Sequence, residues 1–242
     1  IRIGVGGYLL TLLFNGNLMH LGLSIGIIES IRPFLPEFFV ALILVAWMIR
    51  GCPINKTDVI FWLYLLVVIV LGVANGQSTM KGMLSVIRDL LEPFVLLSIV
   101  SMIHLEQVQI NRIMKDIRNI FAVFILIGVV VALQQNIMGW EWTSKYFAGY
   151  SFWGVNRDAS LRIVSGWLGF KSLGTTGSAE TFGFYNAFAI LFLIYYGYRK
   201  KWTNALLVCI AVVNLLLCGM KTPLLVAVLI IFAAVFLPRR HK

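Results

Sequence analysis

Four cations stand close together among glycines and aromatic rings: Lys145, Arg157, Arg162 and Lys171, all between Gln134 and Glu180. Arginine presents a planar fork of donors that matches a phosphate or carboxylate, and lysine adds a compact positive charge. Just downstream, Gly174-Thr-Thr-Gly177 precedes Thr181, where a helix is expected to begin. Glycines at such a place let backbone amides approach an anion near a helix N-terminus. The same stretch opens with Trp140, Trp142, Tyr146, Phe147, Tyr150, Phe152 and Trp153. Flat aromatic faces can stack on sugar rings, which makes Trp140, Trp142 and Trp153 sugar-stacking candidates; an interfacial segment half-embedded among lipid head groups would carry the same residues. The chemistry these types offer is recognition of an anionic, lipid-borne substrate. The plain alternative is a loop whose cations are balanced by lipid head groups or by Glu141, Asp158 and Glu180.

The elements that must position these residues follow from composition. The 242 residues are 60% hydrophobic and only 12% charged, with a mean hydropathy of +0.91. A soluble domain is about half apolar and a quarter charged, so this composition points to a polytopic membrane protein. The formal charge of +10 is spread between apolar runs instead of gathered on one basic domain face, which argues for topology and against nucleic acid. Cys52, Cys209 and Cys218 lack metal-ligand spacing, so neither a zinc site nor a disulfide framework is expected, and no motif calls for a cofactor. Ile1 to Phe14 lacks the basic start of a cleavable leader. The chain begins without Met and stops soon after an apolar run, which is the expectation for a partial chain.

The expected fold is all-α: a single integral membrane domain over residues 1–242, built as a transmembrane bundle of about eight spans with a long outward-facing loop at 134–180. The spans are Ile3 to Leu23, interrupted by Asn15-Gly-Asn and His20; Phe38 to Ile49, extended by Phe34 and Leu35; Asp58 to Val73; Met83 to Ile103; Ile117 to Leu133; Thr181 to Tyr198; Asn204 to Met220; and Pro223 to Leu237. The β-branched content of Asp58 to Val73 would suggest a strand in water, but a lone strand cannot satisfy its backbone in lipid, so helix is expected. Gly219 to Pro223 must be a tight hairpin, with Pro223 in a first helical turn.

Orientation follows from the cations, because Lys and Arg are retained on the cytoplasmic side. With both ends of the chain inside, the inner segments hold twelve cations and the short outer links three, Arg32, Lys81 and Lys221. The loop's four cations run against that asymmetry. Within the fourth span, Arg88 and Glu92 share a helix face at i, i+4 spacing, with Asp89 beside them and Pro93 following. A charge inside a span is costly and faces the bundle interior. An ion pair that locks helices and a cation that lines a cavity opened by the Pro93 kink both satisfy that rule.

These elements together resemble a known family. The order Arg88-Asp-Leu-Leu-Glu-Pro93, then Arg162, then a Gly-Thr-x-Gly passage running into Phe184-Tyr-Asn-Ala-Phe-Ala189, then a Met220-Lys221 hairpin, is similar to the O-antigen ligase and polymerase superfamily. In that family an arginine is followed by Gly-Thr-Phe-Gly-Asn-Pro-Asn-x-Phe-Ala, and a later span begins near Ser-Arg. The resemblance covers most of the chain on short motifs. Here Met220-Lys221 stands for Ser-Arg, keeping the charge and losing the fork. Members carry further spans and a second large outer loop with cations and often a functional His. His20, His104 and His241 offer no outer-face base, so the catalytic residues stay unassigned.

The resemblance implies a metal-independent membrane glycosyltransferase of the bacterial inner membrane. It would polymerise or ligate undecaprenyl-diphosphate-linked saccharide (O-antigen, capsule or exopolysaccharide) at the outer face, beside other polysaccharide assembly proteins. Arg162 would bind the diphosphate, helped by Lys171, Arg157, Lys221 and Arg88. Two other readings stay open. One is a transporter or flippase of a lipid-linked anionic glycan, and the other is a non-catalytic assembly protein or truncated family member.

Overall fold

The protein is described by a computed structural model over residues 1–15, 31, 35–51, 59–60, 63, 67, 105–147, 151–152, 155–156, 165–166 and 169–236. The fold is all-α. In chain order the elements are α1 (Arg2–Leu13), α2 (Leu35–Ile49), α3 (Gln107–Phe147), α4 (Ala179–Tyr196), α5 (Lys201–Cys218) and α6 (Lys221–Phe236). Between α3 and α4 lie two ladders of two-residue strands, β1 (Ser151–Phe152) with β2 (Val155–Asn156) and β3 (Ser165–Gly166) with β4 (Gly169–Phe170). Both are antiparallel, pairing Ser151 with Asn156 and Ser165 with Phe170. Among the described residues two helical stretches are long and apolar enough to cross a membrane, Gln107–Gly139 and Lys201–Cys218. At 1.5 Å per residue the 18 residues of α5 reach about 27 Å, close to the roughly 30 Å of a hydrocarbon core.

The polarity of the described helices is turned outside in. On α3 the exposed side chains Val123, Leu126, Ile127, Val130, Leu133 and Ile137 form one stripe at helical spacing, whereas Gln135 on the opposite face is buried. On α6 Leu225, Val228, Leu229 and Phe232 are exposed, and on α5 Leu206 and Val213 are exposed while Asn214 is fully buried. In water such continuous apolar stripes would need a cover. Against lipid tails they need none, and polar side chains turn inward to bond across helices.

By contact the chain divides into two units, residues 1–8 with 36–110 and residues 9–35 with 111–242. In the first, Gly4 and Gly7 lie against Ile43 and Phe39 so closely that a Cβ at either would overlap them. Small residues at one face let two helix backbones approach. Ile43 is the buried centre there, packed by Val5, Tyr8, Val40, Leu44 and Trp47.

In the second unit α4 is the central helix, packed along both α5 and α6. Gly183 makes room for the close approach of α6, since a Cβ there would sit 2.8 Å from the Pro223 ring. α3 meets α4 through aromatic edges, Phe124 against Phe182 at 5.8 Å and against Tyr185 at 6.4 Å between ring centroids. The three helices are also joined by a buried amide relay. Asn214 Nδ2 donates to Asn186 Oδ1 at 2.9 Å and to the Ile125 carbonyl at 3.1 Å. Asn186 Nδ2 donates in turn to the Phe182 carbonyl at 2.8 Å.

Helices stand where the last three spans were expected, with ends a few residues away: α4, α5 and α6 overlap the sixth, seventh and eighth, and the expected hairpin is formed by Gly219, which is left-handed at φ 62° with its N–H on the Leu216 carbonyl. Pro223 is the third residue of α6, in the first turn, where its missing N–H costs no helical bond. The larger difference concerns the fifth span, expected to end at Leu133. The helix runs on to Phe147 and changes direction at Gly139, whose φ of 74° and ψ of −172° are not helical. Apart from Gly139, residues 134–147 of the expected loop are thus helical: Gln135 and Asn136 have partners on the chain that re-enters the second unit, and past the break the Thr143 hydroxyl donates to the Gly139 carbonyl at 3.0 Å. Of the third span, Val59, Ile60, Leu63 and Val67 are helical; the fourth lies outside the described residues.

Replacing Asn214 with Ala removes two interhelical bonds and leaves the Asn186 oxygen and the Ile125 carbonyl without their donor. The expected loss is about 1–2 kcal/mol, read as lower thermal or denaturant stability of the purified protein in detergent, with Asn214→Gln losing less than Asn214→Ala.

Candidate functional site

The segment that carries the loop back into the bundle is the connector Lys171 to Ser178. Its residues 172–177 are buried, and a non-helical backbone in that position must find partners for its amides and carbonyls. They come from three elements. Ser172 N–H donates to the Leu217 carbonyl at the end of α5, at 3.0 Å. The amides of Leu173 and Gly174 both donate to Gln135 Oε1 of α3, at 2.9 and 3.0 Å, and Gln135 Nε2 returns a bond to the Gly174 carbonyl at 3.4 Å. Thr175 Oγ1 donates to the Leu13 carbonyl at the end of α1, at 2.8 Å.

Asn136 adds a second clamp from α3, bonding Ser172 Oγ and its own helix at the Ala132 carbonyl. Ser172 Oγ also donates to that carbonyl at 3.0 Å. Two glycines make the path possible. Gly174 has φ +56° and lies flat against the Phe182 ring, where a Cβ would overlap it. Gly177 has φ +78° and turns the chain into α4, which Ser178 caps by accepting from the Thr181 amide at 3.5 Å. Only glycine adopts such a backbone without strain.

This geometry revises one expectation. The Gly174-Thr-Thr-Gly177 passage was expected to offer amides to an anion; of its four amides that of Gly174 is taken by the Gln135 side chain, as is that of the preceding Leu173. The hydroxyls serve the fold too: Thr175 Oγ1 bonds the Leu13 carbonyl, and Thr176 Oγ1 shares its one proton between the Leu173 and Ser178 carbonyls, 3.2 and 2.9 Å away. The passage acts as a brace, and the charge available to a ligand here lies at its edges.

Of the expected diphosphate-binding residues, two are described. Lys171 is half-buried at the start of the connector, and Lys221 is exposed as the first residue of α6. The Ser172–Leu217 bond and the hairpin at Gly219 bring both to the same end of the second unit. Arg162, Arg157, Arg88 and Trp153 lie outside the described residues. Trp140 and Trp142 fall on the part of α3 beyond Gly139. Glu180, in the first turn of α4 at this end, is exposed and suits a helix N-terminus electrostatically. Among the described residues no cluster of three His, Cys, Asp or Glu side chains could hold a metal ion. What the arrangement can do is hold an anion with ammonium groups at a fixed edge.

Sequence reasoning passed over Gln135, Asn136 and Asn214. The signal was present: amides at the end of, or within, an apolar run should face the bundle and find partners there.

No family model matches the chain, and neither do any curated protein or solved structure.

Gln135→Leu should free the Leu173 and Gly174 amides, so that their hydrogen exchange in the detergent-solubilised protein rises by an order of magnitude or more, about 1–3 kcal/mol of lost protection. Exchange within the α4 core around Ile190 should stay near wild type.

Proposed function

We propose that this chain acts on a saccharide linked to undecaprenyl diphosphate at the outer face of the bacterial inner membrane, as a metal-independent polymerase or ligase built on a bundle of about eight spans. The observation that carries the proposal is the placement of Lys171 and Lys221 at one end of the second unit, at the foot of a cation-bearing loop. At the other end of that unit α3 brings Arg112, Lys115 and Arg118, and the α4–α5 turn brings Arg199, Lys200 and Lys201. The six cations of that opposite end, on short connections, fit an inner side, which leaves the loop and its own cations to the outer side, against the usual asymmetry. The two lysines at the outer end are then placed to meet a lipid-borne diphosphate.

In this reading Arg162 grips the diphosphate with its planar fork, while Lys171, Arg157, Lys221 and Arg88 add positive charge around it. Holding the developing charge on the leaving diphosphate is the chain's contribution to glycosyl transfer. Trp140, Trp142 and Trp153 supply faces for the sugars. The resemblance in the order of short motifs, with Arg162 ahead of Gly174-Thr-Thr-Gly177, supports the same reading.

Arg162→Ala should abolish polymer or ligated product while the protein stays in the membrane at wild-type level; unchanged product length and yield would overturn the assignment. Incubating the purified protein with a lipid-linked repeat unit distinguishes the rivals. Longer or transferred saccharide supports an enzyme, movement across sealed vesicles a carrier, and neither an assembly protein.

A further inference from the structure

The end of the second unit opposite the connector carries a surface that the proposed chemistry does not use. Residues 111–119 and 196–204 hold six cations, Arg112, Lys115, Arg118, Arg199, Lys200 and Lys201, and one carboxylate, Asp116. Arg112, Lys115, Arg199, Lys200 and Lys201 are exposed, and Arg118 is half-buried between them.

Arg118 is held in place. Its guanidinium lies 4.0 Å from the centroid of the Tyr198 ring, and one of its terminal nitrogens donates to the Gly197 carbonyl at 3.5 Å. Its Nε is buried with no partner. The ring beneath it is fixed in turn, since Tyr198 Oη donates to Asn119 Oδ1 at 3.0 Å. Asn204 grips the Tyr198 backbone at both its amide and its carbonyl, at 2.6 and 2.7 Å. A stacked, braced arginine at the end of the unit that also carries three lysines is a preorganised receptor for a phosphate.

The surroundings say what bears that phosphate. Trp202, beside Lys201, is 88% exposed, and Tyr195 and Tyr196 are exposed one turn below the cations. Leu206, one helical turn along α5 from Trp202, is exposed as well, as is the apolar stripe of α3. Aromatic rings between a cationic rim and an apolar wall are the side chains that settle at the head-group level of a bilayer. A ligand for this surface must present an anion and a hydrocarbon body together.

We propose that this surface binds the head groups of anionic membrane phospholipids, with Arg118 as the fixed phosphate contact and Lys200 and Lys201 as its charged rim. The assignment is independent of the proposed glycan chemistry, which concerns the opposite end.

The test is native mass spectrometry of the full chain, purified in detergent and titrated with equal amounts of phosphatidylglycerol and phosphatidylcholine. Wild type should retain phosphatidylglycerol preferentially. Lys200→Gln/Lys201→Gln should weaken that retention about thirtyfold, the effect of two membrane-adjacent cations, with phosphatidylcholine retention and thermal unfolding unchanged. Arg118→Lys, which keeps the charge and loses the fork, should also weaken it. Equal retention of the two lipids, or an unaltered affinity in the double variant, would overturn the proposal. So would displacement of phosphatidylglycerol by single-stranded RNA at equal phosphate concentration, which would assign the surface to nucleic acid.

Discussion

A chain that leaves its helix among apolar side chains carries backbone dipoles that water cannot reach, and the second unit depends on one solution to that constraint. Gln135 supplies one oxygen to two successive amides and one N–H to a carbonyl, closing a small ring of bonds around Leu173 and Gly174. The connector can then run buried between α1, α3 and α5. Because its backbone is fixed, Phe182 can lie against Gly174, and Phe124 can meet Phe182 edge to face. Gly183, one residue on, is set where Pro223 closes in. Polar bonding comes first in this arrangement, and the apolar packing is fitted around it.

The same ordering governs the helix interfaces. Lipid and leucine are equally apolar, so burying leucine between helices gains little from water exclusion. Asn186, Asn214 and Gln135 have more to gain inside, since their amides would otherwise face hydrocarbon. Their burial beside exposed Val130, Leu206 and Leu229 is what makes α3, α4 and α5 a specific set instead of three interchangeable apolar rods.

Much of the helical framework was legible in the sequence, because long apolar runs closed by cations or by Gly-Met-Lys leave few choices. The turn at Gly219 and the place of Pro223 follow from the backbone preferences of those two residue types. The end of α3 was not legible: Gln134-Gln135-Asn136 reads as polar and loop-like by type, and its helicity comes from partners 36 to 39 residues downstream. The same non-local bonds hid the role of Gly174-Thr-Thr-Gly177, whose composition fits an anion cradle as well as a brace. Local pattern shows which residues are polar; the choice between serving a ligand and serving the fold is made by distant side chains. Of the candidate site, Lys171 was singled out by type and spacing and Lys221 by the resemblance alone, and what brings the two to one end, the Ser172–Leu217 bond and the turn at Gly219, includes a contact that no short motif encodes.

The chain on the two sides of the stretch between α3 and α4 is clamped to itself: Gln135 and Asn136, one turn before the break at Gly139, hold Ser172, Leu173 and Gly174, and the Leu217 carbonyl holds Ser172 from α5. A displacement of the end of α3 must therefore carry the start of α4 with it, because two adjacent amide side chains couple them. Mechanically the two sides of the stretch form one leaf of a hinge: the amide pair on α3 and the backbone it holds move together, and Phe182, seated on Gly174, carries that motion into the core of the second unit.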